Sequence, residues 1–502
     1  MEDKDGPALL TCKVGPSHLS GCNGRGAARA MIFNSLTFVV FFAIVLVVWQ
    51  LRLPWTTRKM FLLLASYLFY AAWNPPFVIL LWVSTLVDWW AAQAMVKSER
   101  PLTRKLWMLA SVVVNLGMLA FFKYGEFLLD NFIAIAGSVG IAYQPADYSI
   151  VLPVGISFYT FATLSYTLDV YLRRAKPASN FLDYALFVTF FPHLVAGPIM
   201  RPTELVPQFA EAKRATRAML MFGLALIVLG LFQKVVLADG FLGPVVETVY
   251  DARTGVPMML DAWVATLAFS GQIFCDFAGY STTAIGVALC LGFAMPDNFR
   301  FPYAAIGFSD FWRRWHITLS SWLRDYLYIP LGGNRHGEIR TYLALMGTML
   351  LGGLWHGASW TFVAWGGLHG LYLSVERWLR QRFAEYRPGR AMLIAFGVLT
   401  FVLINITWVF FRAKDFSVAA KMLTSMGGMA AAPIPMIAAL PMLYAMVIVA
   451  GIVGTHWAMR DKTLEIAIER TPAWVVGGLL SIMAIAVVAE QGKGRAFIYF
   501  QF

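Results

Sequence analysis

The chain has 502 residues, of which 59% are hydrophobic and only 14% charged, whereas a soluble domain carries about 25% charged and about 45–50% apolar residues. The formal net charge is +12, from 40 Lys and Arg against 28 Asp and Glu. The basic residues cluster in short loops beside apolar runs, as at Arg52–Lys59, Lys97–Lys105, Arg173–Lys176 and Lys213–Arg217. That pattern orients membrane helices and requires no nucleic-acid partner. The four cysteines, Cys12, Cys22, Cys275 and Cys290, show no CxxC spacing and support neither a zinc site nor a disulfide framework.

Residues 1–30 are rich in Gly and Ala and lack the apolar core of a signal peptide. They read as a disordered extension, or as a mis-assigned start with Met31 the true one, ahead of a single membrane domain over 31–502. A transmembrane helix needs about 20 mostly apolar residues. In chain order the candidates are Leu36–Leu51, Met60–Trp73, Phe77–Met95, Leu106–Phe122, Val151–Leu172, Tyr184–Met200 and Met219–Leu237. Trp263–Phe293, Leu343–Trp355, Thr361–Val375, Leu393–Phe411, Ile437–Trp457 and Val475–Val488 follow. Several fall short of a full span, so the expected fold is all-α, a polytopic bundle of about ten to thirteen membrane helices, some broken or re-entrant. No paired Gly/Pro-broken segments mark the two halves as inverted repeats, which weighs against a transporter.

An ionisable group at membrane depth is costly and usually functional. His356 sits in Leu350-Leu-Gly-Gly-Leu-Trp-His-Gly-Ala-Ser-Trp360, between two apolar runs whose outer flanks, Arg335–Arg340 and Glu376–Arg390, are both basic. Both outer ends then face the cytoplasm. Arms of roughly 15 residues rise about 22 Å, so the pair reads as a hairpin whose tip stops short of the far side, with His356 at that tip. The alternative, an interfacial aromatic belt around Trp355 and Trp360, leaves the buried histidine without a reason. His316 lies in Phe308-Ser-Asp-Phe-Trp-Arg-Arg-Trp-His-Ile-Thr-Leu-Ser-Ser-Trp-Leu-Arg-Asp-Tyr326. With Ser309 as cap, Phe308, Trp312, Trp315, His316, Leu319 and Leu323 share one helical face. That helix either lies passively at the interface or lines the mouth of a site, where Arg313 and Arg314 would meet a phosphate-bearing donor. Asp169, Asp276 and Asn405 are weaker candidates in apolar segments; His193 reads as structural. His369, 13 positions past His356, would face away from it on one continuous helix, and across a broken one its position is open. No P-loop, dinucleotide fingerprint or serine elbow is present.

A buried histidine without a neighbouring nucleophile suits a general base that takes a proton from an attacking hydroxyl, a step worth about 10²–10⁴-fold, or a transient acyl carrier. Trp355-His356-Gly357, with Phe311-Trp-Arg-Arg-Trp-His-Ile-Thr-Leu-Ser320, resembles the membrane-bound O-acyltransferase family, and most closely its bacterial polysaccharide branch. Pro153–Thr160, Phe190–Arg201, Asp276–Tyr280, Leu323–Ile329 with Leu331–Arg335, and Phe497–Phe502 support the likeness, which runs from Met31 to the last residue. The resemblance implies that His356 is catalytic and His316 a second important position. Trp355, Arg313, Arg314, Asp310, Trp312, Asn334 and Asp276 are then candidates for lining the donor channel. It implies an inner-membrane enzyme with no bound cofactor or metal and a funnel open to the cytoplasm, with acetyl-CoA as the donor. A periplasmic acetyltransferase would complete O-acetylation of an exported polysaccharide such as alginate. Peptidoglycan, cellulose or teichoic acid (by D-alanylation) are the alternative acceptors within the family.

Overall fold

The computed structural model describes residues 31–145, 150–491, 495, 497 and 498. The expectations for residues 1–30, with Cys12, Cys22 and His18, and for residues 499–502 lie outside this range. The described chain is helical; its only β-type pairing is an isolated bridge between Pro257 and Ile434.

Four helices form the first bundle: α1 (Leu36–Gln50), α2 (Trp55–Ala71), α3 (Val78–Lys97) and α4 (Pro101–Ser138). The basic residues between them close helix ends. Arg58 donates to Trp49 O at 2.7 Å and stacks 4.1 Å over the Trp49 ring. Arg104 donates to Met95 O and Tyr171 O at 2.7 and 2.9 Å, satisfying terminal carbonyls that have no helical partner. Such arginines mark the loop ends of helices by direct hydrogen bonding, in addition to any charge effect on orientation. Helix α4 runs 38 residues, well past the expected Leu106–Phe122, because Lys123, Tyr124, Glu126 and Asp130 interrupt the apolar run without interrupting the helix.

Next come α5 (Ile156–Tyr171), α6 (Phe181–Thr189), α7 (Phe191–Leu194) and α8 (Pro202–Leu205). The predicted Tyr184–Met200 span is thus broken, with Pro192 at the start of its second piece. The basic stretch before Arg217 is tied down by Arg201, which pairs with Asp325 at 2.8 Å.

Helix α9 (Arg217–Leu231) passes through a π-helical stretch, Phe232–Leu242, into α10 (Gly243–Tyr250). Helix α11 (Met259–Cys290) is the axis of the molecule: 83% of its most apolar window is buried, against 17% for α4. Helices α9 and α11 meet through glycines seven apart on each. A Cβ on Gly230 would lie 2.5 Å from Gly279 O, and one on Gly286 would lie 2.5 Å from Gly223 O. Small residues that let helix backbones touch are the usual means of association where lipid removes the hydrophobic drive.

The remaining helices are α12 (Phe308–Arg314), α13 (Ile317–Leu323), α14 (Glu338–His356), α15 (Trp360–Arg382), α16 (Arg390–Arg412), α17 (Phe416–Met426), α18 (Ala439–Ala458), α19 (Leu464–Glu469) and α20 (Ala473–Ala489). Every predicted apolar segment contains helix, though residues 151–155 and 195–200 of two of them are not helical. Among the described residues, six helical segments are long and apolar enough to cross a membrane, and α1 and α20 are shorter apolar helices. The chain is a multi-pass membrane protein, with a wide outer surface of exposed Leu, Val, Ile and Phe on α1, α4, α16, α18 and α20.

Candidate active site

The hairpin expected around His356 is present. Helix α14 ends at His356, three residues turn, and α15 begins at Trp360 behind a Ser359 cap. The two helices return side by side, with Tyr342 near the start of α14 3.3 Å from Gln381 near the end of α15. Gly353 and Gly366 allow this contact: a Cβ on Gly366 would fall 2.2 Å from Met349 O, and one on Gly353 2.3 Å from Phe362 O. The arms are longer than the roughly 15 residues expected. At 19 and 23 residues they extend about 28 and 34 Å at 1.5 Å per residue, because their polar outer ends stay helical. The hairpin therefore has the reach of a ~30 Å hydrocarbon core.

His316 is not on a continuous amphipathic helix. The chain breaks at Trp315 and His316, and His316 adopts a left-handed backbone with φ +43°, a costly conformation for a residue with a Cβ. Two backbone bonds to an adjacent segment impose the break: Arg300 N–H donates to Arg314 O at 2.8 Å, and Ile317 N–H to Asn298 O at 2.9 Å. Ser309 is not the cap either. Gly307 precedes the helix, and the Glu376 carboxylate on α15 accepts the Phe308 and Ser309 N–H groups at 2.6 and 3.0 Å.

The break turns His316 into the core, where it is fully buried. Its Nδ1 lies 3.1 Å from Asn298 Oδ1. That oxygen also accepts the Thr318 N–H at 3.3 Å, while the Asn298 amide nitrogen donates to Ser281. A backbone N–H can only donate, so the amide orientation is set and His316 Nδ1 must carry a proton. In the neutral ring Nε2 then holds the lone pair, and among the described residues it has no hydrogen-bond partner.

His316 and His356 flank one indole. The Trp355 ring centroid is 6.1 Å from His316 and 5.0 Å from His356. Phe158 and Phe277 close the His316 side, at 6.4 and 4.6 Å, and Trp365 and Phe411 the His356 side, at 5.0 and 5.4 Å. The two histidines sit 40 positions apart in sequence and face a common aromatic wall.

The other candidates divide. Trp312 joins the site's outer shell, 5.8 Å from Trp365 and 5.1 Å from His369. Arg314 is pinned to Asp310 at 2.9 Å, and Arg460 holds the same carboxylate at 3.0 Å. Burial pushes the Asp310 carboxyl up, but the Ile306 N–H and the two guanidiniums outweigh it and hold it below the usual carboxylate range. Arg313 and Asn334 are exposed. Asp276 turns away from the histidines: it pairs with Lys234, which also binds Asp239 at 2.9 Å, and it accepts the Ile498 N–H at 2.8 Å. This buried triad anchors the C-terminal segment. Asp169 is buried beside Arg201, Asp325 and Tyr326. Asn405 spends its amide on Phe401 O, and His193 on Phe187 O, a structural bond as expected.

His369 belongs to the site's surroundings. It is 4.7 Å from Trp365 and hydrogen-bonded to Thr407 at 3.1 Å. Counting positions along one helix could not show this, since Gly357–Ser359 breaks the helix between the two histidines. Asn298, Trp365 and Lys123 were also missed. Lys123 did carry a signal, as a lone cation embedded in an apolar stretch. An open cleft of about 330 Å³ lies against the turn after His356, lined by Phe127, Asn131, Ser359, Trp360, Lys414 and Phe416 among others.

Two buried histidines facing one indole beside a glycine-packed hairpin lie within a polytopic helical bundle, and the chain belongs to the membrane-bound O-acyltransferase family. It is an acyltransferase. The family profile matches residues 172–413, a stretch that contains His316 and His356. The chain is 41% identical over 402 residues to a probable alginate O-acetylase of Azotobacter vinelandii, covering 79% of this chain and 78% of that protein. It is 38% identical over 397 residues to a peptidoglycan O-acetyltransferase of Helicobacter pylori, covering 74% of each. A teichoic acid D-alanyltransferase of Streptococcus thermophilus is 28% identical over 274 residues, 51% of this chain and 65% of that protein.

Proposed function

We propose that this protein takes an acetyl group from a cytoplasmic donor, acetyl-CoA, and passes it across the inner membrane for O-acetylation of an exported polysaccharide such as alginate. The observation that carries this reading is the placement of His316 and His356 beside one indole, Trp355, with both imidazoles buried among aromatic rings. A water-poor site limits hydrolysis of the thioester. In it, one imidazole takes the proton from the attacking hydroxyl as that oxygen bonds to the acyl carbon; the thiolate leaves and is reprotonated. His316 Nε2, with its lone pair exposed by the Asn298 bond, and His356 are the two groups able to hold that proton.

The cleft beside the Ala358–Thr361 turn provides room for an acceptor next to the histidine-bearing turn. In this reading a periplasmic acetyltransferase accepts the group and completes the transfer to the polymer. The comparable identity to a peptidoglycan O-acetyltransferase supports peptidoglycan as the second acceptor to test.

The deciding experiment is free-thiol release from acetyl-CoA by purified protein in nanodiscs, with alginate, peptidoglycan fragments or a periplasmic partner supplied. His356→Ala abolishes release while leaving folding and insertion intact, and His316→Ala lowers it by at least about 10²-fold. Normal turnover by His356→Ala would remove the site assignment.

A further inference from the structure

The last turn of α14 has an unusual closure. A helix leaves its final carbonyls without helical donors, and here no left-handed residue follows to close them, since Gly357 is extended at φ −160°. The donors come from α4 instead. Tyr124 donates its hydroxyl to Leu354 O at 3.0 Å. The Lys123 ammonium donates to Trp355 O at 2.7 Å and to His356 O at 3.1 Å, with Ser157 Oγ at 3.4 Å as its third acceptor. It also sits 5.7 Å over the Trp355 ring.

Among the described residues no carboxylate lies within ion-pairing distance of Lys123. A cation placed in the middle of an apolar helix, with no anion beside it, is expensive; its compensation is the negative end of the α14 dipole and three acceptors. All three ammonium protons are committed, so none remains for an oxyanion or a donor phosphate.

We propose that Lys123 is a positioning residue. With Tyr124 it closes the C-terminal turn of α14 and fixes the imidazole of His356, the residue after which that helix stops. The inference rests on the reading that His356 is the reacting group. A misplacement of about 1 Å is enough to cost on the order of 10²-fold in rate, and loss of the closing cation frees the turn that carries the ring.

The test compares wild type, Lys123→Met, Lys123→Arg, Tyr124→Phe and His356→Ala as purified full-length protein, with activity expressed per folded molecule. Lys123→Met lowers kcat about 10²-fold at unchanged KM for acetyl-CoA. Lys123→Arg recovers most of the loss, because it restores a cation with several N–H donors, and Tyr124→Phe loses less than Lys123→Met. Hydrogen exchange supplies a readout independent of the donor: the peptide over Gly352–Ser359 exchanges faster in Lys123→Met while the rest of α14 does not. A raised donor KM, a wild-type kcat, or unchanged exchange in that peptide overturns the proposal. So does a loss that merely follows the amount of folded protein. Activity in His356→Ala would instead overturn the site reading on which the proposal stands.

Discussion

At the residue scale, the site depends on how each imidazole is held. His316 owes its orientation to Asn298, whose oxygen serves His316 Nδ1 and the Thr318 N–H and hydroxyl together. Removing that oxygen frees the ring to adopt the other tautomer and orphans the Thr318 donors. Asn298→Leu is expected to lower turnover by about 10²-fold, while Asn298→Asp, which keeps an acceptor, loses less; equal turnover in both variants would show that the tautomer is irrelevant. The two histidine motifs were readable as motifs because a polar group in an apolar run is conspicuous. Asn298 was not readable, because nothing in its local sequence ties it to a histidine 18 positions away.

At the element scale, helix ends decide the geometry. The 3.6-residue period across Phe308–Leu323 suggested one amphipathic helix, and the period is real, but backbone hydrogen bonds to residues 298 and 300 break the helix at Trp315 and His316. Periodicity reports which residues prefer burial and carries no information about a competing backbone partner elsewhere in the chain. The α14–α15 hairpin is the opposite case, since its turn glycines and flanking charges were local. Its contact can be tested directly. Gly366→Ala drives a Cβ against Met349 O and is expected to cost about 1–3 kcal/mol, with a lower Tm and reduced turnover as His356 shifts. Gly367→Ala, whose Cβ would meet only the end of Leu350 at 3.4 Å, is the matched control and leaves both unchanged.

At the scale of the whole molecule, α11 organises two hydrophobic clusters on its two sides, and the aromatic wall around the two histidines is assembled where they meet: Phe158 and Trp355 come from one, Trp365 and Phe411 from the other. The Lys234–Asp239–Asp276 triad fastens the C-terminal segment to this axis. Breaking a buried ion pair by removing one partner costs about 3–5 kcal/mol. Asp276→Ala should therefore lower folded yield and Tm without raising the KM for the donor. A selective rise in KM at normal stability would return Asp276 to the donor channel.

The sequence by itself determined the class: apolar runs of membrane length, basic loops, and a Trp-His-Gly turn between glycines are local patterns whose physics acts over a few residues. Tertiary structure alone decided which polar groups are tied up in architecture and which gather around the two buried histidines. Arg314, Asp276 and Asp310 are spent on ion pairs, His369 and Lys123 are drawn toward the site, and His316 faces Trp355 only because a distant segment breaks its helix. Those outcomes depend on contacts between residues far apart in the chain, where hydrogen-bond satisfaction in a water-poor interior leaves each buried polar group few possible partners.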